Sequence, residues 1–302
     1  MNSVPESTTE NFLPPPEVIS ELEDEYFRVF NPLFPILHAA RYRAELDLPS
    51  VAQPPMYFRW GIWMLGALTL SAYAEQREAI YLRCRKCLEE SEVMESQQSL
   101  WTLKGVQTWA MVATYEFSMM HYTRAWMSGG RASRLSSMLG LNKVDAKHTK
   151  FKSGMALPRD AIEAEERRRT FWAVYLGDRF SAVGTSFTGM LNDEDIMTNL
   201  PCSDEDWESG LCGRSCSLAE GMMGQPLMMS SFALRAINGA IWGKYMAHLY
   251  RERDEDLFNY DGAWWMRHRT LDGLLRKFEL RFPLEGAVRV AHMDLARGCF
   301  WA

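Results

Sequence analysis

An acidic run, Asn192-Asp193-Glu194-Asp195, carries the side chains that could most readily hold a hard cation. A calcium loop would need a glycine at its turn and a glutamate at its far end. The magnesium site of a helical cyclase would need paired aspartates one helical turn apart. The run has neither arrangement. We therefore predict a solvated loop or a helix cap here, without a metal ligand.

Six cysteines could supply soft metal ligands or redox chemistry, namely Cys84, Cys87, Cys202, Cys212, Cys216 and Cys299. Cys84 and Cys87 share a helical face, but two thiolates do not close a tetrahedral zinc site, and no second such pair accompanies them. We interpret this pair as small buried or half-exposed side chains. So few cysteines in 302 residues are too sparse for a disulfide framework, which favours a reducing, intracellular compartment.

Two aspartates and two histidines are the best candidates for acid–base chemistry: Asp193, Asp195, His121 and His248. The histidines, like His38, are isolated in or beside apolar helical segments, which favours a structural role. The sequence contains no phosphate-binding P-loop and no HExxH zinc motif, and residues 184–189 have the wrong spacing for a nucleophile elbow. We predict that the chain is not an enzyme and has no catalytic, cofactor-binding or metal-binding residues. A helical enzyme in which the four candidates converge is the remaining enzymatic alternative.

The formal net charge is −6, which argues against nucleic-acid binding by this chain alone, because phosphate binding needs a local excess of Lys and Arg. Two basic clusters occur, at Arg83-Arg85-Lys86 and at Arg167-Arg168-Arg169. Both lie beside glutamates at helical spacing. We interpret both clusters as solvated, ion-paired helix faces.

The elements that position these residues have the three- and four-residue apolar spacing of helices, and strand-like alternation is nearly absent. We predict helices from Glu17 to Phe30, Ala39–Leu46, Met56 to Glu95 in one or two pieces, Ser99 to Ser128, Arg131–Leu139, Ala161–Val183, Phe232–Tyr250 and Thr270–Arg281. Such a series implies an all-α fold, a large array of antiparallel helices around one apolar core.

Breaks in this pattern come from proline, glycine and polar stretches. We expect Gly129-Gly130 to interrupt one helix, whose buried stripe would run from Leu103 to Met120, and residues 142–160 and 184–230 to be irregular. Residues 1–16 are polar and Pro-rich and are expected to be disordered. The uncharged run Trp60–Ala74 has 15 residues, fewer than a membrane span requires, so we predict a helix buried on all sides.

Four methionines, Met222, Met223, Met228 and Met229, cluster beside the second irregular stretch. Methionine packs adaptably, so these side chains either fill the core or contact a partner or an apolar small-molecule effector. A helical sensor that binds such an effector is therefore a second functional reading.

Asp178 follows Phe171 and Val174 on one stripe of the helix predicted over Ala161–Val183. We therefore expect its carboxylate to point inward, where a buried charge needs a partner such as an arginine.

Four segments, taken together, carry a family resemblance: residues 26–38 (YFRVFNPLFPILH), 127–141 (MSGGRASRLSSMLGL), 165–201 (beginning EERRRTFWAVYLGDR) and 271–283. They resemble the middle homology region of fungal zinc-cluster transcription regulators, the fungal-specific transcription factor domain. The third segment is the most specific, with its acidic and Arg-rich start, its Phe-Trp pair and its Asp-Arg. It departs from the family pattern at residues 184–187, where an Arg-Pro usually follows the glycine.

The resemblance implies a nuclear module that regulates transcription, with the regulatory domain over residues 17–302 and its C-terminal end truncated. No cysteine precedes Cys84, so the family's zinc-cluster DNA-binding part does not occur in this sequence. We therefore expect the module to act through protein partners, self-association or an effector, unless the sequence is a truncated product. No cofactor and no membrane contact are expected.

Overall fold

The computed structural model describes residues 13–93, 100–147, 155–183, 189–213, 215–223, 229–250 and 258–281. Over these ranges the chain is helical and has no strand, which confirms the all-α prediction. The helices are α1 (Pro16–Glu25), α2 (Ala39–Leu46), α3 (Met56–Thr69), α4 (Arg77–Val93), α5 (Leu103–Ser118), α6 (Tyr122–Met138), α7 (Ala161–Val183), α8 (Asp204–Ser209), α9 (Leu218–Met223), α10 (Ser231–Tyr250) and α11 (Ala263–Arg281).

The first helix begins at Pro16, one residue earlier than predicted. Proline is favourable at the first helical position because its fixed φ suits the helix and it has no N–H to leave unpaired. A π-helical turn, Tyr26–Phe30, follows α1 directly, and the chain leaves it ahead of Pro32. The short helix α2 has the predicted bounds, and the His38 side chain caps it by accepting a hydrogen bond from the Arg41 N–H.

Helix α3 lies at the centre of the N-terminal half and packs against α1, α4 and α5. Ten of its 14 residues are buried, so the buried-helix prediction is confirmed as far as Ala67; the helix ends at Thr69, and Ser71, Ala72 and Ala74 are exposed. Met56 to Val93 therefore forms two helices. To span a bilayer, a helix would have to be longer or more apolar than any in the described ranges.

The predicted break at Gly129-Gly130 is wrong. Helix α5 ends at Ser118, Met120 turns the chain with a φ of +58°, and α6 runs without interruption through both glycines. A helical glycine costs only about 1 kcal/mol relative to alanine, which the packing of α6 on α5 outweighs.

The predicted buried stripe of α5 is also only partly right. Met120 is 56 % exposed, and the buried side chains include Trp109, Val112 and Tyr115. The helix is capped by Thr102, whose hydroxyl accepts a hydrogen bond from Gly105 N–H at 3.1 Å; the predicted cap, Ser99, lies outside the described residues.

The second stretch predicted to be irregular, 184–230, contains α8, α9 and a 3₁₀ turn at Asp193–Asp195 in its described parts. Helix α11 begins at Ala263, seven residues before the predicted start at Thr270. Helix α10 packs against α7, and α11 packs against α10. One apolar core runs from Leu22 on α1 to Ile241 on α10, as the fold prediction required.

Candidate functional site on helix α7

Helix α7 occupies the centre of the helical array, where it packs against α5, α6 and α10. Its apolar face carries Phe171, Trp172 and Tyr175, which are all fully buried. The chain from residue 189 to residue 203, here called the strap, is bound to α7 by charged side chains of the helix. Two ionic centres, one near each end of α7, make this connection.

The first ionic centre is built on Arg169 and Glu165, whose side chains are both fully buried. Arg169 Nε lies 3.0 Å from Glu165 Oε1, and Arg169 Nη2 donates to the Cys202 carbonyl at 3.1 Å. Glu165 Oε1 also accepts the Cys202 N–H at 2.9 Å. From α8, Asp204 accepts from Arg169 at 3.1 Å, and the Trp207 ring lies 4.7 Å from the guanidinium. The pair therefore holds both the end of the strap and α8.

Arg168 extends this centre towards the turn after α6. It donates to both carboxylate oxygens of Asp145, at 2.6 and 2.9 Å, and to Glu165 at 3.1 Å. Burial would lower the pKa of Arg168, but Asp145 and Glu165 raise the pKa above its usual value. Asp145 also accepts the N–H of Asn199 in the strap, and the Asn199 carbonyl accepts from Trp172 Nε1 at 2.7 Å.

The second ionic centre joins the end of α7, the strap and α10. Arg179 donates to Asp193 at 2.8 Å, Tyr175 donates to the same carboxylate at 2.7 Å, and Lys244 on α10 lies 3.2 Å from it. Burial would raise the pKa of Asp193, but hydrogen bonds from Tyr175 and Arg179 outweigh burial and lower it. Asp193 is therefore an anionic anchor shared by three elements.

Asp178 points inward, as predicted, and its side chain is 6 % exposed. It pairs with the adjacent Arg179 at 3.0 Å and accepts the strap N–H groups of Met190 and Leu191 at 2.8 and 3.1 Å. Burial raises the pKa of Asp178, and these hydrogen bonds offset part of that increase.

Two surface predictions for this region are wrong in part. The Arg167–Arg169 cluster is ion-paired but not solvated, because Arg169 is fully buried and Arg167 is 9 % exposed in its pair with Glu163. Asp193 belongs to an ionic centre, although Asn192 does cap the 3₁₀ turn. The missed signal was spacing: Glu165, Arg169 and Trp172 follow one another at four- and three-residue steps on one helix face.

The other basic cluster is closer to its prediction. Arg85 pairs with Glu89 at the surface, but it also reaches the fully buried Glu116 at 2.9 Å, which accepts from Tyr81 as well. Cys84 is buried and Cys87 is half-buried, as predicted for that pair.

The residues proposed for acid–base chemistry either make structural contacts or lie at the surface. Asp193 is bound in its ionic centre, Asp195 and His121 are exposed, and His248 packs on Trp264 with ring centroids 4.4 Å apart. Within the described ranges, no group of three or more His, Cys, Asp or Glu side chains is arranged to hold a metal ion.

The methionine cluster is divided in the structure. Met222 and Met229 pack against the core, Met223 is 84 % exposed, and Met228 lies outside the described residues. The apolar effector therefore stays a prediction, and two of the four side chains are accounted for by core packing.

Residues 24–218, which contain the first ionic centre and all of the second except Lys244, match the model of the fungal specific transcription factor domain. No solved structure matches the chain.

Curated relatives agree with the domain match. The chain is 28 % identical to the pigment biosynthesis transcriptional activator pigB of Monascus ruber over 83 % of its own length and 46 % of that protein. It is 28 % identical to the citrinin biosynthesis transcriptional activator mrl3 of Monascus ruber over 85 % and 50 %. It is 30 % identical to the azaphilone cluster-specific transcription factor azaR of Aspergillus niger over 89 % and 59 %. The chain thus spans about half the length of these relatives, and it belongs to the fungal-specific transcription factor domain family.

Proposed function

We propose that this chain is a regulatory module that controls transcription of a biosynthetic gene cluster in the nucleus, through contact with a protein partner. The named relatives, all activators or cluster-specific transcription factors, support the cluster as the target. The observation that supports action through a partner is the pairing of the densest run of basic side chains. Arg167, Arg168 and Arg169 all bind carboxylates of the chain itself, so they offer little to a phosphate backbone.

The module extends beyond the matched residues in this proposal, to residues 17–302. Helix α10 packs on α7, and Lys244 on α10 pairs with Asp193 of the strap. Helix α11 packs on α10 in turn. These contacts support one cooperative body that includes both helices.

A direct test of the mode of action is a fluorescence-anisotropy titration of the chain with promoter DNA of the neighbouring gene cluster at near-physiological salt. We expect only weak binding without sequence preference, because the net charge is −6 and the Arg-rich run is internally paired. Tight, sequence-selective binding by this chain would contradict the proposed dependence on a partner.

The regulatory role itself is tested by deleting the coding segment in the source fungus and sequencing the transcripts. We expect a coordinated change in the genes of one biosynthetic cluster, restored when the wild-type segment is returned. A transcript profile that does not change under producing conditions would contradict the proposal.

A further inference from the structure

Arg41 on α2 lies between two carboxylates near the start of α7. Its Nη2 donates to Asp160, the residue before α7, whose side chain is 44 % exposed. Its Nη1 lies 4.0 Å from Oε2 of Glu166, whose side chain is 14 % exposed. Within the described ranges, this Nη1 is buried and has no hydrogen-bond acceptor. One guanidinium therefore faces an exposed and a largely buried acid, and it forms a hydrogen bond with the exposed one.

The bond to Asp160 fixes the segment that leads into α7, residues 155–160, here called the entry segment. Asp160 Oδ1 accepts the Glu163 N–H at 2.8 Å and so caps the first turn of α7. Arg41 ties this cap to α2. Earlier in the segment, the Ala156 carbonyl accepts from Arg167 Nη1 at 2.8 Å. Two arginines, one on α2 and one on α7, therefore hold the entry segment.

The surroundings of Glu166 leave it with Arg41 as its nearest cation. Ionisable residues from the π-helical turn, α2 and its cap, and α5 surround its carboxylate, namely Tyr26, His38, Arg41, Glu45 and Lys104. Lys104 is paired with Glu45. His38 donates its N–H to Glu166 at 3.5 Å, while its ring Nδ1 accepts the Arg41 N–H at 3.3 Å. A charge on Glu166 would therefore act mainly on the Arg41 guanidinium.

We propose that Arg41 is a proton-controlled latch between α2 and the entry segment. With Glu166 protonated, Arg41 stays on Asp160 and holds the entry segment. When Glu166 loses its proton to solvent, its carboxylate attracts the guanidinium across the 4.0 Å gap and offers a charge-assisted hydrogen bond to Nη1. The guanidinium is planar and rigid, so its movement towards Glu166 lengthens the bond to Asp160 and loosens the entry segment.

The two acids differ in the pH at which they ionise. Burial raises the pKa of Glu166 to about 7. Hydrogen bonds from Arg41 and from the Glu163 N–H hold the pKa of Asp160 below its usual value. Asp160 therefore stays ionised between about pH 5.5 and pH 8, and Arg41 stays charged, while Glu166 passes from the acid to the carboxylate. The latch changes state near neutral pH, at the start of the helix that carries both ionic centres.

The test is a double-mutant cycle of Arg41→Gln and Asp160→Asn, measured on the full chain by urea denaturation. Asparagine can still cap α7, so the cycle reports the ion pair. We expect the two residues to be coupled by about fivefold in the unfolding constant near pH 5.5 and by less than about twofold near pH 8. In a Glu166→Gln background the coupling should be about fivefold at both pH values. The control pair is Arg131 and Glu92, each 44 % exposed, whose coupling should not change with pH.

Hydrogen exchange over residues 155–163 of the wild-type chain provides a second measurement that needs no substitution. After correction for the intrinsic pH dependence of exchange, protection should be lower near pH 8 than near pH 5.5, and Glu166→Gln should remove this difference. Equal coupling of Arg41 and Asp160 at both pH values, or equal protection, would overturn the proposal. A pH dependence that survives Glu166→Gln would also overturn it, because the titrating group would then be another residue such as His38.

Discussion

Arg169 and Glu165 form a fully buried ion pair one helical turn apart on α7, with 3.0 Å between Nε and Oε1. The same two side chains bind both backbone polar groups of Cys202. The charged side chains of α7 and the polar backbone groups of the strap therefore form hydrogen bonds with one another away from water. Because a buried charge without a partner is costly, neither residue can be replaced alone without a large loss of stability.

Glu165→Gln should lower the free energy of unfolding by about 3 kcal/mol, the lower end of the cost of breaking a buried pair. Among the described residues, the carboxylate left to Arg169 would be that of Asp204, which is 49 % exposed and so a weaker partner. Urea denaturation gives the value. The control is Glu89→Gln, which removes a 56 % exposed partner of Arg85 and should cost less than about 0.5 kcal/mol. Equal losses for the two variants would contradict the structural role of Glu165.

Asp193→Asn should release the strap, with a loss of about 2 kcal/mol, because it weakens charge-assisted hydrogen bonds from Arg179 and Tyr175 and the pair with Lys244. Hydrogen exchange of the strap amides should become faster while exchange in α3 stays unchanged. Asp195→Asn alters an exposed carboxylate two residues away and should leave the strap amides protected. Equal exchange in the two variants would rule out the anchoring role.

The sequence was sufficient where a helix follows its own apolar period and is stopped by a recognisable residue. Helix α2 and helix α7 have the predicted bounds, Asp178 points inward, and the apolar run in α3 is buried. These features depend on the spacing of apolar residues and on the cost of exposing apolar surface or of leaving a buried charge unpaired. Both can be inferred from the sequence alone.

The sequence was insufficient to predict features that depend on tertiary contacts. Nothing in the sequence indicates a left-handed conformation at Met120, so the end of α5 was not predicted. A helix break was predicted at Gly129-Gly130, but the packing of α6 on α5 keeps the helix continuous there. The two ionic centres were missed for a related reason. Their carboxylates and basic side chains come from segments up to 51 residues apart in sequence, as the pair of Lys244 and Asp193 demonstrates.

Gly66→Ala should destabilise the chain by about 3 kcal/mol, since overpacking against a rigid backbone cannot relax. A Cβ at this position of α3 would lie 2.1 Å from the Leu22 carbonyl oxygen on α1, so the two helices would have to separate. Gly177→Ala on α7 is the matched control. A Cβ there meets no atom within 4 Å, and the gain in helix propensity should stabilise the chain by about 0.5 kcal/mol. Thermal unfolding of both variants should give a lower melting temperature for Gly66→Ala and a higher one for Gly177→Ala.

Met120→Gly should stabilise the chain by about 0.5 kcal/mol, although it removes a side chain. Met120 is 56 % exposed and has a φ of +58°, which glycine adopts without the steric cost that other residues meet. Met119→Gly is the control at the preceding residue, where φ is −91° and the side chain packs against the core, and it should cost about 1 kcal/mol. Destabilisation by both variants would contradict the strain at the turn between α5 and α6.

Two glutamates of α7, three residues apart, should give opposite pH dependence. Burial raises the pKa of Glu166 to about 7. Arg41, whose Nη1 lies 4.0 Å from the carboxylate, and the His38 N–H, which donates at 3.5 Å, both lower this pKa but do not offset burial. Burial would also raise the pKa of Glu163, but hydrogen bonds from Arg159 and Arg167 outweigh burial and lower it. Folding therefore favours the protonated form of Glu166 and the ionised form of Glu163.

The sign of each effect on stability follows from these shifts. The contribution of Glu166 to stability is full below the pKa of its unfolded state and is lost as the pH rises through about 7. The contribution of Glu163 is full above the pKa of its unfolded state and is lost as the pH falls through its lowered folded pKa. Glu166→Gln, which resembles the protonated acid, should therefore raise the melting temperature near pH 8 and change it little near pH 5. Glu163→Gln should lower it near pH 8, because Arg167, with 9 % of its side chain exposed, would lose its anionic partner. A lower melting temperature for Glu166→Gln near pH 8 would mean that the ionised carboxylate stabilises the fold through Arg41, contrary to the raised pKa of Glu166.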